Sequence, residues 1–338
     1  MIYEKNMSIP PLLDQYRALP DNPCSTTQSH ELRSVQVIKE CDLPLIDLSG
    51  LTSLNVRERE ACAAAISSAS SEWGFFQVVN HGISKELLGE MRKEQMKLFE
   101  IPFEKKASCG LLNDSYRWGN PRATSTKQFS WSEAFHVPLT KISEGASYGE
   151  FSSLRKAMEE FATAMSELAR LLAGILATNL GHSRGAFEEI CNESTCFIRL
   201  NRYPRCLIAS EMSGLVAHTD SDFLTILYQD QVGGLQLMKD SKWVAVKPNP
   251  DALIVNIGDL FQAWSNDVYK SVEHKVITNE KVERYSIAYF LCPSYGSLIG
   301  SCKEPSIYKK FTFGEFRKQV VEDVYKTGHK VGLPKFLL

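Results

Sequence analysis

No cysteine in the 338-residue chain stands in a C-x-x-C pair, and the nine cysteines (24, 41, 62, 109, 191, 196, 206, 292 and 302) are odd in number and scattered through apolar or strand-like segments. They fit no disulfide framework and read as reduced thiols in a cytosolic protein. Strong charge of either sign is also missing: 38 Lys and Arg against 40 Asp and Glu leave a formal net charge of −2. Nothing in that balance points to nucleic acid or an anionic membrane, so a small-molecule partner is expected. No apolar run reaches the roughly 20 residues of a membrane helix. The first twenty residues carry acids and prolines, lack an apolar stretch and lack the arginine-rich, acid-poor character of a transit sequence. The expected location is the cytoplasm, with a nuclear share left open. Internal repeats and low-complexity tracts are absent, and nothing in the sequence fixes an oligomeric state.

What is present is ordered along the chain. Residues 1–40 are polar and proline-spotted and read as a loosely packed lead-in, "LPLIDLSGL" (43–51) as a first strand, 57–73 as a helix, "GFFQVVN" as a strand, and "ISKELLGEMRKEQMKLFEIP" as a helix ended by Pro102. Leu154, Met158, Phe161, Met165, Leu168, Leu172 and Ile175 recur at steps of four and three, the mark of a long amphipathic helix laid along a sheet. From about residue 194, eight short strand-like segments alternate with Gly, Asn, Asp and Pro turns, the pattern of an antiparallel jelly roll. The expected class is mostly β with flanking helices around a jelly-roll core. It divides into an N-terminal α/β region (1–150), a long backing helix (151–190), the core (191–300) and a C-terminal helical segment (301–338).

Within the core, "GLVAHTDSDFLTILYQD" places His218 and Asp220 two apart, on one face of a strand with Thr219 turned away. The pair alone is a weak signal. A third ligand is available from "SVEHKV", whose His274 is in a strand-like setting. Two imidazoles and a carboxylate suit non-haem Fe(II) with open positions, and also suit catalytic zinc. Ten residues on, Arg284 and Ser286 of "RYS" share one face of the next strand, where a guanidinium fork and a hydroxyl fit a carboxylate. Fe(II) with one aspartate stays positive and favours a dianionic keto acid, whose far carboxylate Arg284 is placed to meet. "CFIRLNRYP" points Phe197, Arg199, Asn201 and Tyr203 to one face and turns Arg202 to the other. Taken singly, His218 reads as a core histidine, Arg284 as a salt-bridge residue and Tyr203 as a strand-end anchor. His30, His81, His182 and His329 are in turn, polar or helix-end settings and are not expected to carry function.

The ordered set H-x-D, His, R-x-S, together with "WGFFQVVNHGI", "NRYP", "GGLQL" and "WVAVKPNPDALIVNIGD", resembles the plant Fe(II)/2-oxoglutarate-dependent dioxygenases from about residue 42 to the C-terminus. The resemblance implies a distorted double-stranded β-helix, iron on His218, Asp220 and His274, and 2-oxoglutarate contacts on Arg284, Ser286, Tyr203 and Asn201. It also implies O₂ as oxidant, ascorbate as an aid, and release of succinate and CO₂. The stretches at 115–138 and 229–250 are most similar to gibberellin 2-oxidases acting on twenty-carbon gibberellins, which hydroxylate the second carbon and inactivate the hormone. By analogy with relatives that act on flavonoids, Phe135 or His136 and Phe290 line the substrate pocket, and Arg199 faces a gibberellin carboxylate. The rival expectations are the same chemistry on a flavonoid or at another gibberellin position, an oxidase that uses no 2-oxoglutarate, and a non-catalytic hormone-binding protein.

Overall fold

The computed structural model describes residues 7–21, 39–108, 111–143, 148–188, 190–191, 194–208 and 212–338; Cys24, His30 and Cys109 lie outside them. In chain order the first elements are α1 (Leu12–Arg17), β1 (Glu40–Cys41), β2 (Leu45–Asp47), α2 (Val56–Glu72), β3 (Phe75–Val79), α3 (Lys85–Glu100) and α4 (Phe103–Ala107). Then come β4 (Tyr116–Trp118), β5 (Glu133–Pro138), α5 (Leu139–Ile142), α6 (Ser152–Asn179), β6 (Phe197–Tyr203), β7 (Ser213–His218), β8 (Leu224–Gln229), β9 (Leu235–Lys239) and β10 (Lys242–Val246). The chain closes with β11 (Leu253–Ile257), α7 (Asp259–Trp264), β12 (His274–Ile277), β13 (Arg284–Leu291), β14 (Leu298–Ile299), β15 (Phe311–Thr312) and α8 (Phe313–Thr327).

Two sheets form the core. The larger has the order β2-β3-β11-β8-β13-β6-β5-β4 and the smaller β1-β10-β9-β12-β7, with β14 and β15 as a separate pair. The mostly antiparallel, non-sequential order is that of a jelly roll. The strands from the N-terminal region are part of it: β1 completes the small sheet, and β2, β3, β4 and β5 extend the large one at both ends.

All seven residues of the four-and-three pattern in α6 are buried, and the helix lies on β8 and β13 with α2 and α3 beside it. By length and composition α6 also resembles a membrane span, yet 67% of its most apolar window is buried inside the fold, so its apolar face is a core face. Each large apolar side chain it buries stabilises the fold by roughly 1.5–3 kcal/mol.

Two local expectations change. The lead-in is packed where it is described: Leu12, Tyr16 and Leu19 form a satellite core with Phe129, Trp131, Cys206 and Met212. Its apolar residues are too few to show a period, which is why the sequence conceals them. The strand expected over 43–51 ends at Asp47, because that carboxylate accepts from Ser49 N–H and caps a 3₁₀ turn over Leu48–Thr52.

Candidate active site

A cavity of about 350 Å³ opens between the two sheets. On the small sheet, the end of β7 and the start of β12 pair so that His218 and His274 are directly opposite each other. Asp220 lies two residues beyond the end of β7, in a loop rather than in the strand, and still faces both imidazoles. Its Oδ1 is 3.6 Å from His218 Nε2 and 3.8 Å from His274 Nε2. The three ligand atoms are close enough together that one metal ion would be held by all of them.

The surrounding bonds prepare these atoms. His218 Nδ1 bonds to Val216 O at 2.8 Å and His274 Nδ1 to Val272 O at 3.1 Å, so each Nδ1 carries the proton and each Nε2 presents a lone pair. Asp220 Oδ2 accepts from Thr225 Oγ1 at 2.7 Å and from Asn256 Nδ2 at 2.8 Å, which leaves Oδ1 for the metal. Burial holds the His218 imidazole down at about 3, with His274 adding to the effect, so it is neutral and able to ligate. Burial alone raises the Asp220 carboxyl, but His274, His218 and the two hydrogen bonds outweigh it and hold it at about 2. Asp222 goes the other way: burial and the neighbouring Asp220 charge push its carboxyl well above the ordinary range. A two-nitrogen, one-oxygen set with open positions on the cavity side fits Fe(II).

On the facing large sheet, strand register brings the other candidates into rows. Arg284 pairs with Tyr203, Ser286 with Asn201, Ala288 with Arg199 and Phe290 with Phe197, all turned to the cavity by alternation. Arg284 is 2% exposed, with Nη2 on Gln229 Oε1 at 2.7 Å, Nη1 on Ser286 Oγ at 3.4 Å and its guanidinium 5.0 Å from the Tyr203 ring centroid. Its buried Nε finds no hydrogen-bond partner among the described residues. An arginine fork and a buried serine hydroxyl of this kind fit a carboxylate. Gly214 makes room for the Tyr203 ring, since a Cβ there would stand 2.6 Å from Tyr203 Cδ1.

The chain matches the 2OG-Fe(II) oxygenase superfamily over residues 194–293 and the N-terminal region of the non-haem dioxygenases in morphine synthesis over 43–160. It is 58% identical to gibberellin 2-beta-dioxygenase 6 of Oryza sativa subsp. japonica, covering 97% of this chain and 95% of that one. The chain belongs to the 2OG-Fe(II) oxygenase superfamily. Gibberellin 2-beta-dioxygenase 8 of Arabidopsis thaliana is 57% identical over 89% of this chain and 88% of its own. The crystal structure of JOX2 in complex with 2OG, Fe and JA superposes with a TM-score of 0.74 at 30% identity, covering 90% of this chain and 92% of that one. This protein is a 2-oxoglutarate-dependent dioxygenase, with Fe(II) and 2-oxoglutarate as its cofactor and co-substrate.

The oxygenase's pocket departs from expectation at one position. Phe135 is turned out of the cavity and packs on Phe99 and Tyr116, because β5 alternates and only its neighbour His136 faces inward. His136 stacks on Phe197 at 3.9 Å and Phe197 on Phe290 at 4.2 Å, forming one aromatic wall. Arg202 points away from the cavity to Glu133 and Glu283 behind the large sheet. The histidines set aside have local roles: His81 Nδ1 accepts from Ile83 N–H, His182 bonds to Cys302 O, and His329 bonds to Thr327 O.

Several residues of the oxygenase's site escape sequence reasoning. Thr225 and Asn256 are polar residues inside apolar strands, and Gln229 shares the parity of Thr225, so alternation could have flagged all three. Asp259, Lys330 and Arg317 come from a helix start, the C-terminal tail and α8, where no spacing ties them to the metal. Gly258 lets the turn before α7 approach the ligand loop, for a Cβ there would lie 2.1 Å from Asp222 Oδ1.

Proposed function

We propose that this oxygenase hydroxylates a gibberellin, preferentially a twenty-carbon one, at its second carbon. The carrying observation is the whole-length identity of 58% to a gibberellin 2-beta-dioxygenase, combined with a cavity that has the metal ligands at one sheet and Arg199 beside an aromatic wall on the other.

His218, Asp220 and His274 hold Fe(II), and Arg284 with Ser286 receives the far carboxylate of 2-oxoglutarate. Asn201 and Tyr203, opposite Ser286 and Arg284 on β6, border the same site. Bound Fe(II), with 2-oxoglutarate and O₂, supplies the oxidising chemistry, coupling conversion of the keto acid to succinate and CO₂ with insertion of oxygen into a C–H bond. The apolar wall of Phe75, Leu215, Leu227, Leu235 and Val276 keeps water from the reacting centre. Arg199 holds a carboxylate of the substrate, and His136, Phe197 and Phe290 lie against its hydrocarbon skeleton. These contacts select which C–H bond faces the metal, and no general base is required.

The test is a panel of twenty- and nineteen-carbon gibberellins and flavonoids incubated with Fe(II), 2-oxoglutarate, ascorbate and O₂, with products identified by mass and NMR. A twenty-carbon gibberellin bearing one new hydroxyl on the second carbon is the expected product. Turnover of flavonoids alone would overturn the substrate assignment.

A further inference from the structure

Arg199 and Arg317 line the same cavity from opposite parts of the chain, β6 and α8. Arg199 is fixed through Nε, which donates to Asn201 Oδ1 at 2.8 Å, while its two Nη groups have no hydrogen-bond partner among the described residues. The Arg317 guanidinium lies 6.0 Å from the Phe313 ring centroid and likewise has no ion-pair partner among the described residues. Both side chains are part-buried. The cavity's own carboxylates do not answer them: Asp220 and Asp222 are hydrogen-bonded to Thr225 at the metal end, and neither forms an ion pair with Arg199 or Arg317. The third cation of the cavity, Arg284, faces the co-substrate.

His136 pairs with Arg199 across β5 and β6 and lines the same cavity as Arg317. Burial holds its imidazole at about 4, and Arg199 and Arg317 are the next largest causes, so both charges bear on this ring and the ring adds no charge of its own. A part-buried arginine without an anion is costly, and two beside one apolar wall call for an anionic ligand. Helix α8 is capped at both ends and packed on the fold. Thr312 and Glu315 form a reciprocal capping box at its start, Gly328 ends it in the left-handed conformation, and Phe313 and Phe316 are buried beneath it. Arg317 is therefore presented from a capped helix rather than from a loop.

We propose that Arg317 is a specificity residue that closes with Arg199 on a carboxylate of the substrate. The clamp deepens the gibberellin reading and rests on it for the identity of the ligand. Asn201 links it to the co-substrate side: it accepts from Arg199 and donates from Nδ2 to Ser286 Oγ at 3.4 Å, the same oxygen that Arg284 Nη1 approaches. An anion drawn onto Arg199 is thereby held in register with the Arg284 site.

The test is anaerobic binding to the full-length protein loaded with Fe(II) and 2-oxoglutarate, comparing a twenty-carbon gibberellin free acid with its methyl ester in wild type, Arg317→Met and Arg317→Lys. Loss of a charge-assisted fork predicts that Arg317→Met weakens the acid about 10- to 100-fold and the ester less than about 3-fold. Arg317→Lys, which keeps the charge, should recover part of the loss, and unchanged melting temperatures would separate this from misfolding. Equal effects on acid and ester, or none on either, would overturn the clamp while leaving the gibberellin reading intact. If wild type binds no gibberellin but binds another terpenoid acid with the same Arg317-dependent preference over its ester, the clamp stands and the gibberellin reading falls.

Discussion

Lys330 Nζ lies 2.6 Å from Asp259 Oδ2, with side-chain exposures of 10% and 5%, and this ion pair joins the segments that adjoin the metal ligands. Lys330 also donates to Thr219 O at 2.9 Å and Ser221 Oγ at 2.8 Å, on either side of Asp220. Asp259 receives Ser271 Oγ at 2.7 Å, just ahead of His274, and donates its own N–H to Asp220 O at 3.0 Å. Replacing Lys330 by Met should therefore lower Fe(II) affinity about 10-fold or more, the usual cost of removing a group that orients metal ligands. Competition against a chelator measures it, and an affinity equal to wild type would contradict the positioning role.

Arg284 is buried against Gln229, Ser286 and the Tyr203 ring, so its fork cannot be replaced by a point charge. Arg284→Lys should raise the KM for 2-oxoglutarate at least about 30-fold, in line with the roughly 2–5 kcal/mol of a buried charged hydrogen-bonded pair. Titration of succinate formation against 2-oxoglutarate concentration checks this.

How far these residues can be read from the sequence depends on whether a local period reaches them. His218, Arg284 and Ser286, like the Phe197–Tyr203 row, obey strand alternation, so spacing alone assigns each of them a face. Asp220 keeps its place although the strand stops at His218, because the loop after it is docked on the start of α7 through Leu260 N–H to Asp222 O. Phe135 and His136 are adjacent, and alternation sends one to the core and one to the cavity; neither residue type marks which. Lys330, Asp259 and Arg317 meet the site only through the packing of distant segments, and no spacing encodes that.

His136 makes stability depend on pH. The unfolded chain takes up its proton near pH 6.5 and the folded protein only near 4, so between those values the unfolded state binds more protons and stability falls as pH falls. The loss is complete below about pH 4 and amounts to at most roughly 3 kcal/mol. Denaturant titrations of the metal-free protein should show His136→Phe, which keeps the stack on Phe197, gaining on wild type as pH drops from 7 to 4. A gap that does not change with pH would contradict this; the His218 titration is common to both proteins and cancels.

Behind the large sheet, Glu133 is fully buried between Lys106 (2.6 Å) and Arg202 (3.1 Å) and also accepts from the Tyr116 hydroxyl. Burial lowers the Lys106 amine to about 8 despite Glu133, a measure of how dry the cluster is. Glu133→Gln leaves two buried cations without their shared carboxylate and should cost about 3–5 kcal/mol of stability. Urea unfolding measures it, and a loss below about 1 kcal/mol would show that water reaches the cluster.

The most direct test of the central claim is a single-turnover experiment. Protein is loaded anaerobically with Fe(II), 2-oxoglutarate and a twenty-carbon gibberellin, then given one pulse of O₂, and succinate and hydroxylated gibberellin are counted together. Wild type should form the two in equal amounts, and His218→Ala neither. Hydroxylation without succinate, or undiminished product from His218→Ala, would contradict an iron centre on His218, Asp220 and His274 driven by 2-oxoglutarate.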